Sequence, residues 1–203
     1  MTRRLLTLGV VLAVLFGADV AARGFVSSAV SERAQQEAPS GSSVSASVGG
    51  FPFLPPLLLG GDVSTASVHV KNLTADVLVF ARLDIDLTGV HLDRKRLIND
   101  RKARITNIDH GTVRAVVTAD ELSQALHGVP VVMSPGKLTI ARIDVTPTVR
   151  DRRLVVGGFT VPLTDYMPCV SSVDVKDGEM DLACTFNDIP PALLDAVQNA
   201  VDN

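Results

Sequence analysis

Aromatic residues are scarce in this chain of 203 residues, which has no tryptophan, a single tyrosine and seven phenylalanines. Proteins that hold single-stranded nucleic acid usually stack bases on aromatic side chains, and nucleic-acid-binding domains usually carry an excess of positive charge. The formal net charge of −3 shows no such excess. The composition therefore argues against nucleic-acid binding.

Catalytic and metal-binding motifs are also missing. The sequence has no H-x-H, H-E-x-x-H or G-x-S-x-G pattern, no P-loop and no G-x-G-x-x-G. Asp84 and Asp86 would share one face of a strand, as a general acid and base would, but the polar face of an amphipathic strand explains the same pattern. We therefore expect no catalytic residue, no metal site and no cofactor. The four histidines, in no ligand spacing, are His69, His91, His110 and His127.

Charge is absent from Leu5 to Ala18, an aliphatic run that follows Arg3 and Arg4. Its length fits the apolar core of a secretory signal peptide, whereas a membrane-spanning helix usually needs about 20 apolar residues. Small residues up to Ala22 offer a cleavage site. The sequence thus predicts export to the periplasm or cell envelope, with residues 1–22 as signal peptide and 23–203 as one domain. An uncleaved signal anchor is the alternative.

Only two cysteines are present, Cys169 and Cys184. In an exported chain an even count suggests a disulfide, and the alternative is two buried free thiols. The segment between them reads as a hairpin that turns at Asp177-Gly178. A four-residue loop would place the cysteines directly opposite, while a two-residue turn would offset them by two positions. We expect the longer loop or a bulge.

Strand patterns dominate the chain from Ser43 to Phe186. The clearest strand runs from Val77 to Leu87, with apolar residues at every second position and Arg82, Asp84 and Asp86 between them. Its length exceeds that of an ordinary strand. Further strands are expected at 43–48, 63–70, 104–108, 112–118, 137–145, 154–161, 170–175 and 179–186.

Three helices are expected around these strands. The first is an amphipathic pattern at residues 19–38. The second is expected at residues 118–128, with Thr118 or Asp120 as its N-cap, and the third at residues 188–201, with Asp188 as its N-cap. Helices that precede, interrupt and close a run of strands favour an α+β domain built on an antiparallel sheet over a wound βαβ sheet. The apolar stripe expected on the first helix consists of Val20, Phe25, Val26, Ala29, Val30 and Ala34.

An unusual apolar segment, "GGFPFLPPLLLGG", spans Gly49 to Gly61. Its prolines exclude a regular strand or helix interior, yet its side chains are too apolar for an ordinary solvated loop. Pro55 and Pro56 suit the start of a one-turn helix, which Gly60 would end. Two interpretations remain open: the segment seals one end of a core, or it borders an apolar cavity that is open to a ligand or a membrane.

A basic run, Asp93 to Arg104, follows the long strand. Its positive side chains are suited to anionic lipid head groups, where each contributes about 1 kcal/mol near a charged surface. A solvated loop is the alternative interpretation. The head-group candidates are Arg94, Lys95, Arg96, Arg101 and Lys102.

The sequence resembles the LmeA-like family of actinobacterial envelope proteins. The segment Val48 to Leu54, "VGGFPFL", with the leucines and glycine that follow, carries the most specific part of the resemblance. Weaker matches are "DLTGV" at Asp86 to Val90, Val116 to Thr118 with Leu122, and the late Asp-Gly hairpin. The positions that match the family's motif are Phe51, Pro52, Phe53 and Leu54.

The resemblance implies an exported phospholipid-binding protein that supports envelope lipid or lipoglycan maintenance and does no chemistry on the lipid. It also implies a long, curved antiparallel sheet or partial barrel wrapped around helices. We expect a lipid carrier or sensor whose acyl-chain groove is lined by the long strand and closed by the apolar segment, with peripheral membrane contact as a further expectation. The expected lipid-binding residues are Phe51, Phe53, Leu54, Leu57, Leu58, Val77, Val79, Leu83, Ile85 and Leu87.

Two other functions remain as alternatives. The first is a non-catalytic envelope module that binds another protein and has a fully packed core. The second is a hydrolase of envelope lipids or glycans, which would have to use Asp84, Asp86 or His110.

Overall fold

The computed structural model of the protein describes residues 17–28, 31–32, 35, 41–75, 78–99, 104–150, 153–163, 169 and 172–188. The described helices are α1 (residues 17–28, with 31–32 and 35 also helical), α2 (Leu54–Leu59), α3 (Arg94–Asn99) and α4 (Ala119–Ala125). The helix expected at 188–201 lies almost entirely outside these residues.

The described strands form three antiparallel sheets. The main sheet has the order β1-β2-β3-β4-β12-β11, and two small sheets have the orders β5-β6-β7 and β10-β9-β8. The strands are β1 (Ser43–Gly49), β2 (Asp62–Ala75), β3 (Leu78–Leu92), β4 (Ile105–Thr118), β5 (Val131–Ser134), β6 (Lys137–Ile140), β7 (Ile143–Val145), β8 (Thr148–Arg150), β9 (Arg153–Val156), β10 (Phe159–Pro162), β11 (Ser172–Val175) and β12 (Glu179–Phe186). The sheets are open and curved, which confirms the predicted α+β class.

The three central strands are long because they continue through local irregularities instead of ending there. We expected two strands at 104–108 and 112–118, but β4 is continuous from Ile105 to Thr118. Where β4 passes Gly89 of β3, that glycine has a φ of +61°, and a Cβ on it would overlap the carboxylate of Asp109. Glycine is therefore required here, because another residue would be strained and would clash.

The alternation of side chains along β3 is not continuous, so the predicted apolar face was wrong in part. Leu78 and Phe80 are fully buried in the same cluster as Leu83, whereas Val79 and Ala81 belong to neither core cluster. The alternation slips between Phe80 and Leu83, where the neighbouring strand β2 carries Asn72 at a φ of 55°. A local change of backbone conformation of this kind moves the following side chains to the other face.

Most of the core is one large cluster between the main sheet, α4 and the two small sheets. Helix α4 begins with a capping box, in which Thr118 and Glu121 each bond the other's backbone amide. This confirms Thr118 as the N-cap and places Leu122 and Leu126 in the cluster. A representative set of its fully buried members is Phe80, Leu83, Val113, Leu138, Leu154 and Met180.

A second, small cluster lies where the main sheet meets α1 and α2. Its buried members are Phe53, Val63, Val90 and Ile108, and Ala22 and Val26 of α1 pack against them. Val20 and Phe25, which were expected on the apolar stripe of this helix, are exposed. Ala29, Val30 and Ala34 lie outside the described residues.

Helix α1 also covers the edge strand β1 through polar side chains one turn apart. The Ser31 hydroxyl accepts a hydrogen bond from the Ala46 amide at 2.8 Å and donates to the Ala46 carbonyl at 3.0 Å. Ser27 accepts from the Val48 amide, and Gln35 accepts from the Val44 amide. These bonds satisfy backbone groups that an edge strand otherwise leaves unpaired.

Two further turns differ from the predictions. Gly157-Gly158 is the turn of the β9–β10 hairpin and divides the strand expected at 154–161, and Ala141-Arg142 divides the strand expected at 137–145 into β6 and β7. In both cases consecutive residues with positive φ reverse the chain.

The disulfide between Cys169 and Cys184 is present, with the Cα atoms 5.4 Å apart. The four-residue loop expected between β11 and β12 was wrong. Val175 pairs with Met180, and the Lys176 amide donates to the Glu179 carbonyl, so the turn consists of Asp177 and Gly178. If this pairing continued to Cys169, the two cysteines would be offset by two positions. The described pairing of β11 with β12 begins only at Ser172, so it does not fix the position of Cys169.

Candidate functional site

The apolar segment from Phe51 to Leu59, which we call the apolar lip, is built around one buried anchor. Phe53 is buried in the small cluster, and α2 follows it with prolines in its first turn, as the sequence predicts. Helix α2 has no side-chain cap of its own. Instead, the buried carboxylate of Asp19 accepts hydrogen bonds from the amides of Phe53 at 2.8 Å and Leu54 at 2.7 Å.

The Asp19 contact joins two segments that are far apart in the sequence. Its carboxylate satisfies amides at the start of α2 that would otherwise lack an acceptor in a buried position. Helix α1 and the apolar lip are therefore one structural unit. The sequence does not predict this contact, because an acidic residue at the end of an apolar run indicates only where that run ends.

The rest of the apolar lip is poorly covered. Phe51 is 66% exposed, Leu58 52% and Leu59 73%, while Leu54 and Leu57 are partly buried against the small cluster. Exposure of several large apolar side chains in one short segment is unusual on a protein surface. The lip therefore presents apolar side chains to solvent in addition to burying Phe53.

The small cluster itself is incompletely buried. Among the described residues, most members of the large cluster are buried, but most members of the small cluster are only partly covered. Leu87 of β3, Leu92 of β3 and Ile105 of β4 are among the partly covered side chains. When a further apolar group covers apolar surface that is still exposed to water, the free energy falls.

The lipid-binding residues expected on the long strand are not all in one place. Leu87 lies in the small cluster beside the lip, Ile85 lies against the large cluster, and Leu83 is fully buried within the large cluster. Val79 is partly buried and belongs to neither cluster, and Val77 lies outside the described residues. The binding role of these residues stays a prediction.

The first half of the basic run is helical. Asp93 caps α3, since its carboxylate accepts from the Lys95 amide at 3.0 Å and the Arg96 amide at 3.2 Å. Arg94, Lys95 and Arg96 are exposed, and α3 contacts α2. The basic side chains of α3 therefore lie next to the lip. Arg101 and Lys102 are outside the described residues.

A histidine between two carboxylates lies at the same end of the sheet. His91 of β3 bonds Asp62 of β2 through Nδ1 at 2.8 Å and Asp109 of β4 through Nε2 at 3.2 Å. Both hydrogen bonds, that to Asp62 first, raise the pKa of His91 above its ordinary value. Sequence reasoning missed this cluster because only strand pairing brings the three residues together.

One of the two carboxylates considered for catalysis, Asp84, has structural partners. Asp84 bonds His69 at 2.8 Å and Arg82 at 3.2 Å on the polar face of the sheet. Within the part of the chain that the structure describes, no group of three or more histidine, cysteine or acidic residues has a geometry suited to a metal ion. None of the described helices is both long and apolar enough to cross a bilayer.

The fold and its open end define a class of protein: an α+β domain with a long, curved antiparallel sheet and an apolar cluster that one end leaves partly uncovered. The chain belongs to the LmeA-like phospholipid-binding family, which its sequence matches over residues 17–203. The resemblance stated from the sequence is confirmed, and lipid binding is the property of the family. No curated protein and no solved structure matches the chain.

Proposed function

We propose that the protein is an exported phospholipid carrier or sensor of the cell envelope, which holds acyl chains against the small cluster beneath the apolar lip. The observation that carries this proposal is the incomplete burial of that cluster next to exposed lip residues. An acyl chain would cover the partly buried side chains of Leu57, Leu87 and Leu92. Each buried CH₂ contributes about 0.8 kcal/mol, so a few methylenes suffice for useful affinity.

The site is apolar, and the proposed role includes no chemical step. The lip and the small cluster offer aliphatic surface, while Asp84 is engaged on the polar face of the sheet. A role in the maintenance of envelope lipids or lipoglycans requires only that the protein take up and present a phospholipid. The head group would remain near the exposed Arg94, Lys95 and Arg96.

We also propose that the N-terminal helix stays attached to the exported protein. Cleavage after Ala22 would remove Asp19, whose carboxylate bonds the lip, and Ala22, which packs on the small cluster. An uncleaved signal anchor keeps both. This favours the anchor over the cleaved signal peptide.

Lipid uptake tests the proposal directly. We would purify the full chain from membranes in mild detergent and identify bound lipid by native mass spectrometry. Ala66 of β2 packs against the small cluster, so Ala66→Phe places a ring where the acyl chain is expected. The matched control is Ala81→Phe, at a partly buried alanine that belongs to neither cluster.

We expect phospholipid on the wild-type chain and on Ala81→Phe, and at least a tenfold loss on Ala66→Phe. Thermal unfolding of both variants would establish that each is folded, since overpacking costs about 1 to 3 kcal/mol. A wild-type chain that is consistently free of lipid and takes up no added labelled phospholipid would refute the proposal.

A protein-interaction module is the second candidate, because Leu83 and its neighbours in the large cluster are fully packed. It predicts that the partly covered small cluster is a docking face for another protein. The same experiment separates the two functions: a folded, lipid-free chain with a co-purifying protein in a fixed ratio would favour the module.

A further inference from the structure

We propose that the end of the sheet formed by the apolar lip and α3 docks on an anionic phospholipid bilayer, with Phe51, Leu58 and Leu59 entering the outer part of the lipid layer. This inference rests on the proposed function, because the bilayer is the source of the bound lipid. It adds the orientation of the molecule and the residues that make the contact.

The exposed apolar side chains give the first argument. Besides Phe51, Leu58 and Leu59, Ile98 of α3 is 52% exposed, and α3 contacts α2. Four large apolar side chains thus protrude from two adjacent short helices and the turn before them. The exposed apolar residues elsewhere on the described sheets are spread over separate strands: Val132 on β5, Ile143 on β7 and Phe159 on β10.

Charge next to the lip gives the second argument. Arg94, Lys95 and Arg96 are exposed, and Gly61 at the end of α2 lies against Arg94: a Cβ built on the glycine would be 3.6 Å from the Arg94 Cβ. Basic residues beside protruding apolar side chains are the pattern that binds anionic membrane surfaces. An apolar protein partner would not require these exposed basic side chains.

The path of the chain gives the third argument and selects a bilayer as the occupant. The uncharged run from Leu5 to Ala18 ends one residue before Asp19. The Asp19 carboxylate is bonded to the amides of Phe53 and Leu54 within the lip. A membrane that holds the apolar run therefore lies at the lip end of the molecule. The opposite end, with the two small sheets, points away from it.

Tryptophan fluorescence can test this docking, because the natural chain contains no tryptophan. The full chain with Leu59→Trp would be reconstituted into vesicles of brominated phosphatidylglycerol. The matched control is Ile143→Trp, at a residue of similar exposure on a small sheet. We expect bromine to quench the fluorescence of Leu59→Trp at least twofold and to leave that of Ile143→Trp unquenched. Equal quenching of both variants, or none of Leu59→Trp, would overturn the proposal.

The charge contribution is tested on the same Leu59→Trp chain. Reversal of Arg94, Lys95 and Arg96 to glutamate should abolish most of the quenching in phosphatidylglycerol vesicles. Arg142→Glu, on an exposed arginine of the β6–β7 turn, should leave it unchanged. Quenching that is insensitive to the triple reversal, or equally strong in brominated phosphatidylcholine, would contradict docking on an anionic surface.

Bound lipid must be distinguished from a docked bilayer. Quenching that persists after the vesicles are dissolved in excess unbrominated detergent would come from lipid held inside the protein and would count against docking. Native mass spectrometry of the wild-type chain separates the two proposals. A wild-type chain that carries lipid, without any quenching of Leu59→Trp, refutes docking alone, whereas a docked wild-type chain without bound lipid refutes only the proposed function.

Discussion

At the scale of single residues, a few polar groups hold the open end of the molecule together. Asp19 caps the lip from a position more than thirty residues away in the sequence, and His91 joins the ends of three strands. Both are polar groups placed beside an apolar cluster that is only partly covered. Their bonds fix the backbone around the cluster without filling it.

His91 makes the stability of this end depend on pH. Its folded-state pKa is raised above the ordinary value of 6.5, so its contribution is fully present below that value and is lost as pH rises through the raised pKa. We expect the difference in Tm between wild type and His91→Gln to be largest near about pH 5.5 and to shrink toward about pH 9.

Thermal unfolding followed by circular dichroism across this range measures the effect. The control is His127→Asn, on an exposed histidine at a φ of 58°, a conformation that asparagine accepts. This variant should keep the pH dependence of the wild type. A Tm difference for His91→Gln that grows with rising pH would contradict the assigned role. Because the side chain of His91 is 39% exposed, solvent screening keeps the effect modest.

At the scale of elements, the edge of the main sheet is covered by side chains of α1. The Ser31 hydroxyl bonds both the amide and the carbonyl of Ala46. Ser31→Ala removes these bonds, so we expect a loss of about 1 to 2 kcal/mol in the free energy of local opening and at least fivefold faster hydrogen exchange at the Ala46 amide.

Ser28→Ala is the matched control, because the Ser28 hydroxyl bonds only the Phe25 carbonyl within its own helix in the contacts described. Exchange at Ala46 should be unaffected in this variant. If the Ala46 amide exchanges at the wild-type rate in Ser31→Ala, the serine bonds do not protect the edge.

At the scale of the whole molecule, the N-terminal helix belongs to the folded domain. The family match begins at residue 17, and Asp19, Ala22 and Val26 contact the lip or the small cluster. We therefore predict that the mature protein retains these residues. Trypsin cleaves after Arg4 and Arg23, so mass spectrometry should detect a peptide that spans Gly17 and ends at Arg23. A mature N-terminus at Arg23 would contradict the prediction.

Much of the fold could be predicted from the sequence, because local rules determine it. The α+β class, an N-cap at the start of α4, the short helix that has Pro55 and Pro56 in its first turn, and the pairing of the two cysteines follow from residue type and spacing. Each depends on interactions within a short stretch of chain or on composition. The family resemblance rests on equally local motifs.

The rest was decided by tertiary contacts. In the paired sheet, Leu78 and Phe80 of β3 are buried in place of the predicted Val79. Strand pairing also brings Asp62, His91 and Asp109 into one cluster. The sequence alone determined that the segment from Gly49 to Gly61 is apolar and broken by proline. Only the packed structure decided that Phe53 is buried while Leu59 is exposed, because burial depends on what the neighbouring strands and helices cover.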